Sequence, residues 1–148
     1  MDVVIDNGIK TVLPDLRAIR VAEAMHAGVI ACSLATPLAE VARLMAAHRV
    51  HCVIAHGENE EGRDALWGVI SDLDLVAAAS AGAGAERTAG RIAATPLLMV
   101  APDETLARAG QLMSEHAVHH LVVVEPVQGH PVGVLSTLDI ATALAPAA

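Results

Sequence analysis

Aromatic side chains are almost missing from this chain: one Trp, no Phe and no Tyr in 148 residues. Core volume must come from Val, Leu, Ile and Met, so close packing of small and branched side chains replaces aromatic bulk. Lysine is as scarce. Lys10 is the only one, and no glycine-rich loop surrounds it, which excludes a Walker-type phosphate loop and leaves a Schiff base no other lysine. Cys32 and Cys52 form neither a C-x-x-C pair nor a disulfide framework, as suits a reducing compartment. Positive charge is short overall, with 9 Lys and Arg against 17 Asp and Glu and a net charge of −8. That balance argues against nucleic acid and against an anionic membrane surface as partners. Met1 to Asp6 lacks the basic start and apolar centre of a signal peptide. No uninterrupted apolar run reaches the roughly 18 residues of a spanning helix. The expectation is a soluble cytoplasmic protein.

Apolar residues make up 54% of the chain and charged residues 18%, so it is no disordered segment and has material for a core. Its length suits one ordinary domain or two very small ones. An internal repeat decides between them. Gly68-Val69-Ile70-Ser71-Asp72-Leu73-Asp74 matches Gly133-Val134-Leu135-Ser136-Thr137-Leu138-Asp139 at an offset of 65 positions. Upstream, Leu44-Met45 with His48 and His51 matches Leu112-Met113 with His116 and His119 at an offset of 68. The first copy therefore carries three extra residues, in the acidic loop Gly57 to Leu66. The division that follows is an N-terminal extension 1–20, a first repeat 21–79, an Ala/Gly-rich linker 80–87, a second repeat 88–144 and a tail 145–148.

Within each copy the periodicity changes several times. Thr36 and Pro37 read as cap and first residue of a helix whose apolar face is Leu38, Val41, Ala42 and Met45. In the second copy Asp103 takes the cap position, ahead of Leu106, Ala109, Gly110 and Met113. Short branched runs, Cys52 to Ala55 and Leu121 to Val124, read as buried strands. Second strands follow at Trp67 to Ile70 and Pro131 to Leu135, and closing helices start at Ser71 and Ser136. Val29 to Cys32 and Leu97 to Val100 supply a leading strand to each copy. The fold class is α/β (α+β in stricter usage): two β-α-β-β-α units related by a pseudo-twofold axis.

The paired Gly-Val-Ile/Leu-Ser-x-Leu-Asp motifs, with the Ala24-Met25 and Arg91-Ile92 steps ahead of each copy, resemble the CBS domain, named after cystathionine β-synthase. Two in tandem resemble a Bateman module. The resemblance spans residues 21–144 and implies a regulatory, non-catalytic module that binds an adenosine-containing ligand in clefts between its repeats. Ligands of this class are AMP, ADP, ATP, S-adenosylmethionine and NAD-like molecules, with no required cofactor. The resemblance further implies that Asp74 and Asp139 accept the ribose hydroxyls and that Ser71 and Ser136 contact ribose or phosphate. It places His51, Cys52, His119 and His120 at the start of the strand beside the adenine pocket. Pairing into a homodimer is also expected, with an effector protein acted on in trans.

Other readings of the same residues exist. Ser71-x-x-Asp74 and Ser136-x-x-Asp139 both fit a helix-capping box, in which serine and acid satisfy free helix N–H groups. The histidines, with Cys52, are of a type that binds zinc. However, His48, His51, Cys52 and His56 run from a helix end into a strand whose side chains alternate, so no metal site is expected. No nucleophile–base pair is readable, so no enzyme is expected. A purely structural or interaction module with vestigial clefts is the alternative function.

Overall fold

Alternation along two strands builds the molecule. In a computed structural model describing residues 12–93 and 95–145, β3 (Cys52–Glu58) buries Val53 and Ala55 on one face and Cys52 and Ile54 on the other. In β6 (His120–Val124), Leu121 and Val123 take one face, and His120 and Val122 the other. One face of each strand packs on its own helices. The other faces the opposite sheet, where Cys52, Ile54, Val69 and Val122 form a core between the two repeats.

The first sheet has the order β2-β3-β4, with β2 at Ala31–Ser33 parallel to β3 and β4 at Asp64–Ser71 antiparallel to it. Helices α2 (Leu38–His48) and α3 (Asp72–Ser80) belong to this repeat. The second sheet, β1-β7-β6-β5, combines β5 (Met99–Val100), β6 and β7 (Pro131–Ser136) with β1, a two-residue strand at His26–Ala27. Helices α5 (Leu106–His116) and α6 (Thr137–Leu144) complete the second β-α-β-β-α unit.

The lead-in segments cross over. Helix α1 (Val21–Ala24) buries Val21 in the core of the second repeat, together with Leu106, Leu121 and Leu135. Helix α4 (Ala89–Ile92) buries Ala89 and Ile92 in the core of the first, beside Val41 and Val53. Boundaries at residues 21 and 88 thus describe the repeat in sequence, while in packing each lead-in belongs to the other repeat. Residues 1–11 and 146–148, which include Lys10, lie outside the described residues.

Several local expectations need correction. Pro37 is the N-cap of α2 and not its first residue, and the Thr36 hydroxyl accepts from the Ser33 N–H instead of capping. Thr105, not Asp103, caps α5, accepting from the Arg108 N–H at 3.1 Å. The leading strands are shorter than expected, at Ala31–Ser33 and Met99–Val100. Much of the acidic loop is strand: β3 and β4 pair as far as Glu58 with Asp64, past a bulge at Ala55 and His56. The extra residues of the first copy lengthen a hairpin. Both α2 and α5 end on left-handed residues, Arg49 and Ala117, each with φ 52°, so the repeats share even their helix terminations.

Candidate functional site

The two motif acids are built alike. Ser136 caps α6: its N–H donates to Asp139 Oδ2 at 2.8 Å and its hydroxyl accepts from the Asp139 N–H at 3.1 Å. Ser71 and Asp74 repeat the arrangement at α3, at 2.9 and 3.1 Å. The capping reading therefore holds at both sites.

What reaches each acid next differs. His26 and Thr95 occupy equivalent places, one in β1 beside β7 and the other bridged to β4 at Val69. His26 Nδ1 lies 2.9 Å from Asp139 Oδ1, with the imidazole itself largely in solvent. Thr95 donates both its N–H, at 3.3 Å, and its hydroxyl, at 2.7 Å, to Asp74 Oδ2. Neither residue stands out in the sequence. The pairing was hidden because the segments that carry them are offset by 69 positions, out of step with the 65 and 68 elsewhere.

A cleft of about 430 Å³ opens at Asp139, a size that suits a small organic ligand. One wall comes from the first repeat and its lead-in, with His26 to Ile30, His48, Val50, His51 and Cys52. The other is the second repeat, with His120, Val134, Ser136, Leu138 and Asp139. Five of the residues singled out from sequence thus meet here: Ser136, Asp139, His51, Cys52 and His120. His119 is exposed and does not line the cleft, because it precedes the strand whose alternation turns His120 inward. Ser71 and Asp74 lie outside it, as does the acidic turn Glu58 to Glu61. Arg91 lines a separate recess with Glu86, Arg87 and Thr88.

His120 is the most telling group. The residue is 7% exposed, and its Nδ1 is buried with no hydrogen-bond partner among the described residues. Such a group costs stability unless something pairs with it. Burial lowers its pKa, and the carboxylates of Asp72 and Asp139 do not offset that effect. Burial, helped by the Asp72 charge, pushes the Cys52 thiol up to about 11, so it is no thiolate nucleophile at neutral pH. Among the described residues no group of three or more His, Cys, Asp or Glu is placed to hold a metal ion. The arrangement is equipped to bind: an acid with lone pairs to spare, a neutral imidazole, and apolar walls from Val29, Ile30, Val50 and Val134.

A pH dependence of stability follows from His120. Its folded pKa is lowered, so below an unfolded value of about 6.5 the unfolded chain binds the proton more readily. Its contribution is complete above that pH and is lost as pH falls toward the folded pKa. The melting temperature is expected to drop as pH falls below about 6.5, and less steeply in His120→Gln. Parallel pH profiles for the two proteins would contradict this assignment.

The CBS domain family model matches residues 19–81 and again 89–146. The chain belongs to the CBS domain family. Two CBS repeats are joined in tandem here, and solved structures of CBS domain proteins resemble them. One is the CBS domain protein PAE2072 from Pyrobaculum aerophilum complexed with AMP, at 26% identity and TM-score 0.70, covering 82% of this chain and 89% of that one. A conserved protein from Pyrococcus horikoshii shares the fold at 20% identity and TM-score 0.74, covering 91% and 98% of the two chains. The CBS pair of MJ0100, in complex with 5′-methylthioadenosine and S-adenosyl-L-methionine, shares it at 20% identity and TM-score 0.70, covering 83% and 93%. Among curated proteins none matches the sequence. No helix among the described residues is long and apolar enough to cross a membrane.

Proposed function

We propose that this CBS pair is a non-catalytic sensor that binds an adenosine-containing ligand in the cleft at Asp139 and passes its occupancy to an effector in trans. The observation that carries the reading is the meeting of Asp139 with the imidazole of His120 in one cleft between the repeats. An ionised carboxylate offers about four acceptor positions. The Ser136 N–H and His26 use two of them, which leaves room for the two hydroxyls of a ribose. The imidazole of His120 serves as a hydrogen-bond partner for the base. The AMP complex of the relative from Pyrobaculum aerophilum supports this choice of ligand class.

Ser71 and Asp74 do not line the cleft, and Asp74 Oδ2 takes three hydrogen bonds from Ser71 and Thr95. We assign Ser71 and Asp74 a structural role, locking α3 to the segment that follows α4.

The pair is further proposed to form a homodimer through α3 and α6. Leu73 and Leu138 hold equivalent positions on these helices, each 66% exposed, and Val76 extends the apolar stripe on α3. Each repeat offering the same side chain gives the face an internal twofold that suits an isologous contact with a second copy. Because Leu138 also lines the cleft, ligand and dimer contact share a residue through which occupancy can be read.

A thermal-shift panel of adenine nucleotides, S-adenosylmethionine and 5′-methylthioadenosine, with sedimentation of the free and ligand-bound protein, tests the proposal. At a hundred times the dissociation constant a ligand stabilises by about 2.7 kcal/mol, a rise of roughly 5–10 °C for a chain of this size. Absence of any shift across the panel would favour a purely structural module.

A further inference from the structure

We infer that the cleft selects adenosine compounds whose 5′ substituent is uncharged or positively charged over those that carry phosphate; the inference rests on the adenosine reading above. Phosphate is held in proteins by Arg, Lys or free N–H groups at a helix N-terminus. Among the described residues that line the cleft there is no Arg and no Lys. Its basic side chains are the imidazoles of His26, His48, His51 and His120, none of which brings the fixed charge of a guanidinium or ammonium.

Three of the four N–H groups at the start of α6 are taken, and only that of Leu138 has no partner among the described residues. The Ser136 N–H goes to the Asp139 carboxylate, the Thr137 N–H to the His119 carbonyl and the Asp139 N–H to the Ser136 hydroxyl. Asp139 thus sets a carboxylate at the helix start, where its charge opposes an incoming anion. The formal charges nearest His120 have the same sign, since Asp72 and Asp139 act on it alongside only the imidazoles of His51 and His119. Asp72 reaches the cleft wall directly, with Oδ2 at 3.1 Å from His51 Nδ1. A ribose seated on Asp139 brings its 5′ group into this negative field, which repels phosphate and attracts a sulfonium.

Calorimetric titration of the full chain at neutral pH and low ionic strength, with 5′-methylthioadenosine, S-adenosylmethionine, AMP and ATP, separates the outcomes. The first two are expected to bind about tenfold more tightly than AMP, and AMP more tightly than ATP, with the gap narrowing as salt is added. Asp72→Asn removes one of the two carboxylates at an exposed position outside the cleft lining, and it should narrow the gap between AMP and 5′-methylthioadenosine. AMP or ATP binding as tightly as 5′-methylthioadenosine would overturn the selectivity and leave the adenosine reading standing. A gap unaffected by both salt and Asp72→Asn would overturn the electrostatic cause. If none of the four binds, the adenosine reading falls and the selectivity with it.

Discussion

Gly133→Ala is expected to destabilise the protein by about 3 kcal/mol and lower its melting temperature by roughly 6–12 °C, while Gly68→Ala is tolerated. The two glycines open the same motif in the two repeats, yet their surroundings differ. A Cβ at Gly133 would overlap the backbone carbonyl oxygen of His26 and crowd the Met25 sulfur at 3.0 Å. Backbone cannot swing aside as a flexible side chain can, so β1 must move off β7. Among the described residues, the nearest atom to a new Cβ at Gly68 is the Ala93 Cβ, at an ordinary 3.8 Å. There alanine is neutral or gains about 0.5 kcal/mol by removing glycine's excess freedom in a strand. Because the Gly133 clash displaces His26, a wall of the cleft, Gly133→Ala is also expected to lose the ligand-induced rise in melting temperature. Thermal unfolding of the two variants, with and without ligand, checks both statements. Equal losses at the two positions would contradict the packing described for β1.

Asp139→Asn is expected to abolish most of the ligand-induced thermal shift at a modest cost to the free protein. Asparagine keeps the shape and one carbonyl acceptor but loses the charge and the second acceptor oxygen. Weakening the cap and the charge at the start of α6 costs about 1 kcal/mol, or roughly 2–4 °C. The ligand shift loses the group proposed to hold both ribose hydroxyls. A hundredfold loss of affinity would take away nearly all of the roughly 5–10 °C rise. Asp74→Asn provides the comparison: it breaks contacts to Ser71 and Thr95, so it should lower the melting temperature of the free protein and retain the ligand shift. If both variants keep the full shift and lose stability alone, the acids are caps and nothing more.

Much of this was legible in the sequence because duplication wrote it twice. The β-α-β-β-α order and the serine caps of α3 and α6 follow from local periodicity and the paired motifs, whereas the nearness of His120 to Asp139 came only from the family resemblance. What local pattern could not show are contacts made across the repeats. The crossing of α1 and α4 depends on which core each segment finds, and Val21 and Ile92 are apolar enough for either. Thr105 over Asp103 as a cap is a choice between two good capping residues, made by where the chain pairs with Arg20. His26 on Asp139 and Thr95 on Asp74 arise from strand register. So does the difference between the two motif acids, whose sequences are nearly the same.

The most direct measurement compares adenosine with 2′,3′-dideoxyadenosine by calorimetric titration of the parent protein and of Asp139→Asn. Each hydrogen bond from a hydroxyl to an ionised carboxylate is worth about 1.5–3 kcal/mol, so removing both hydroxyls should weaken binding to the parent by about a hundredfold or more. In Asp139→Asn the two nucleosides should bind with nearly equal, weak affinity. Equal affinities in the parent, or a full hydroxyl effect that survives in Asp139→Asn, would contradict the placement of the ribose on Asp139.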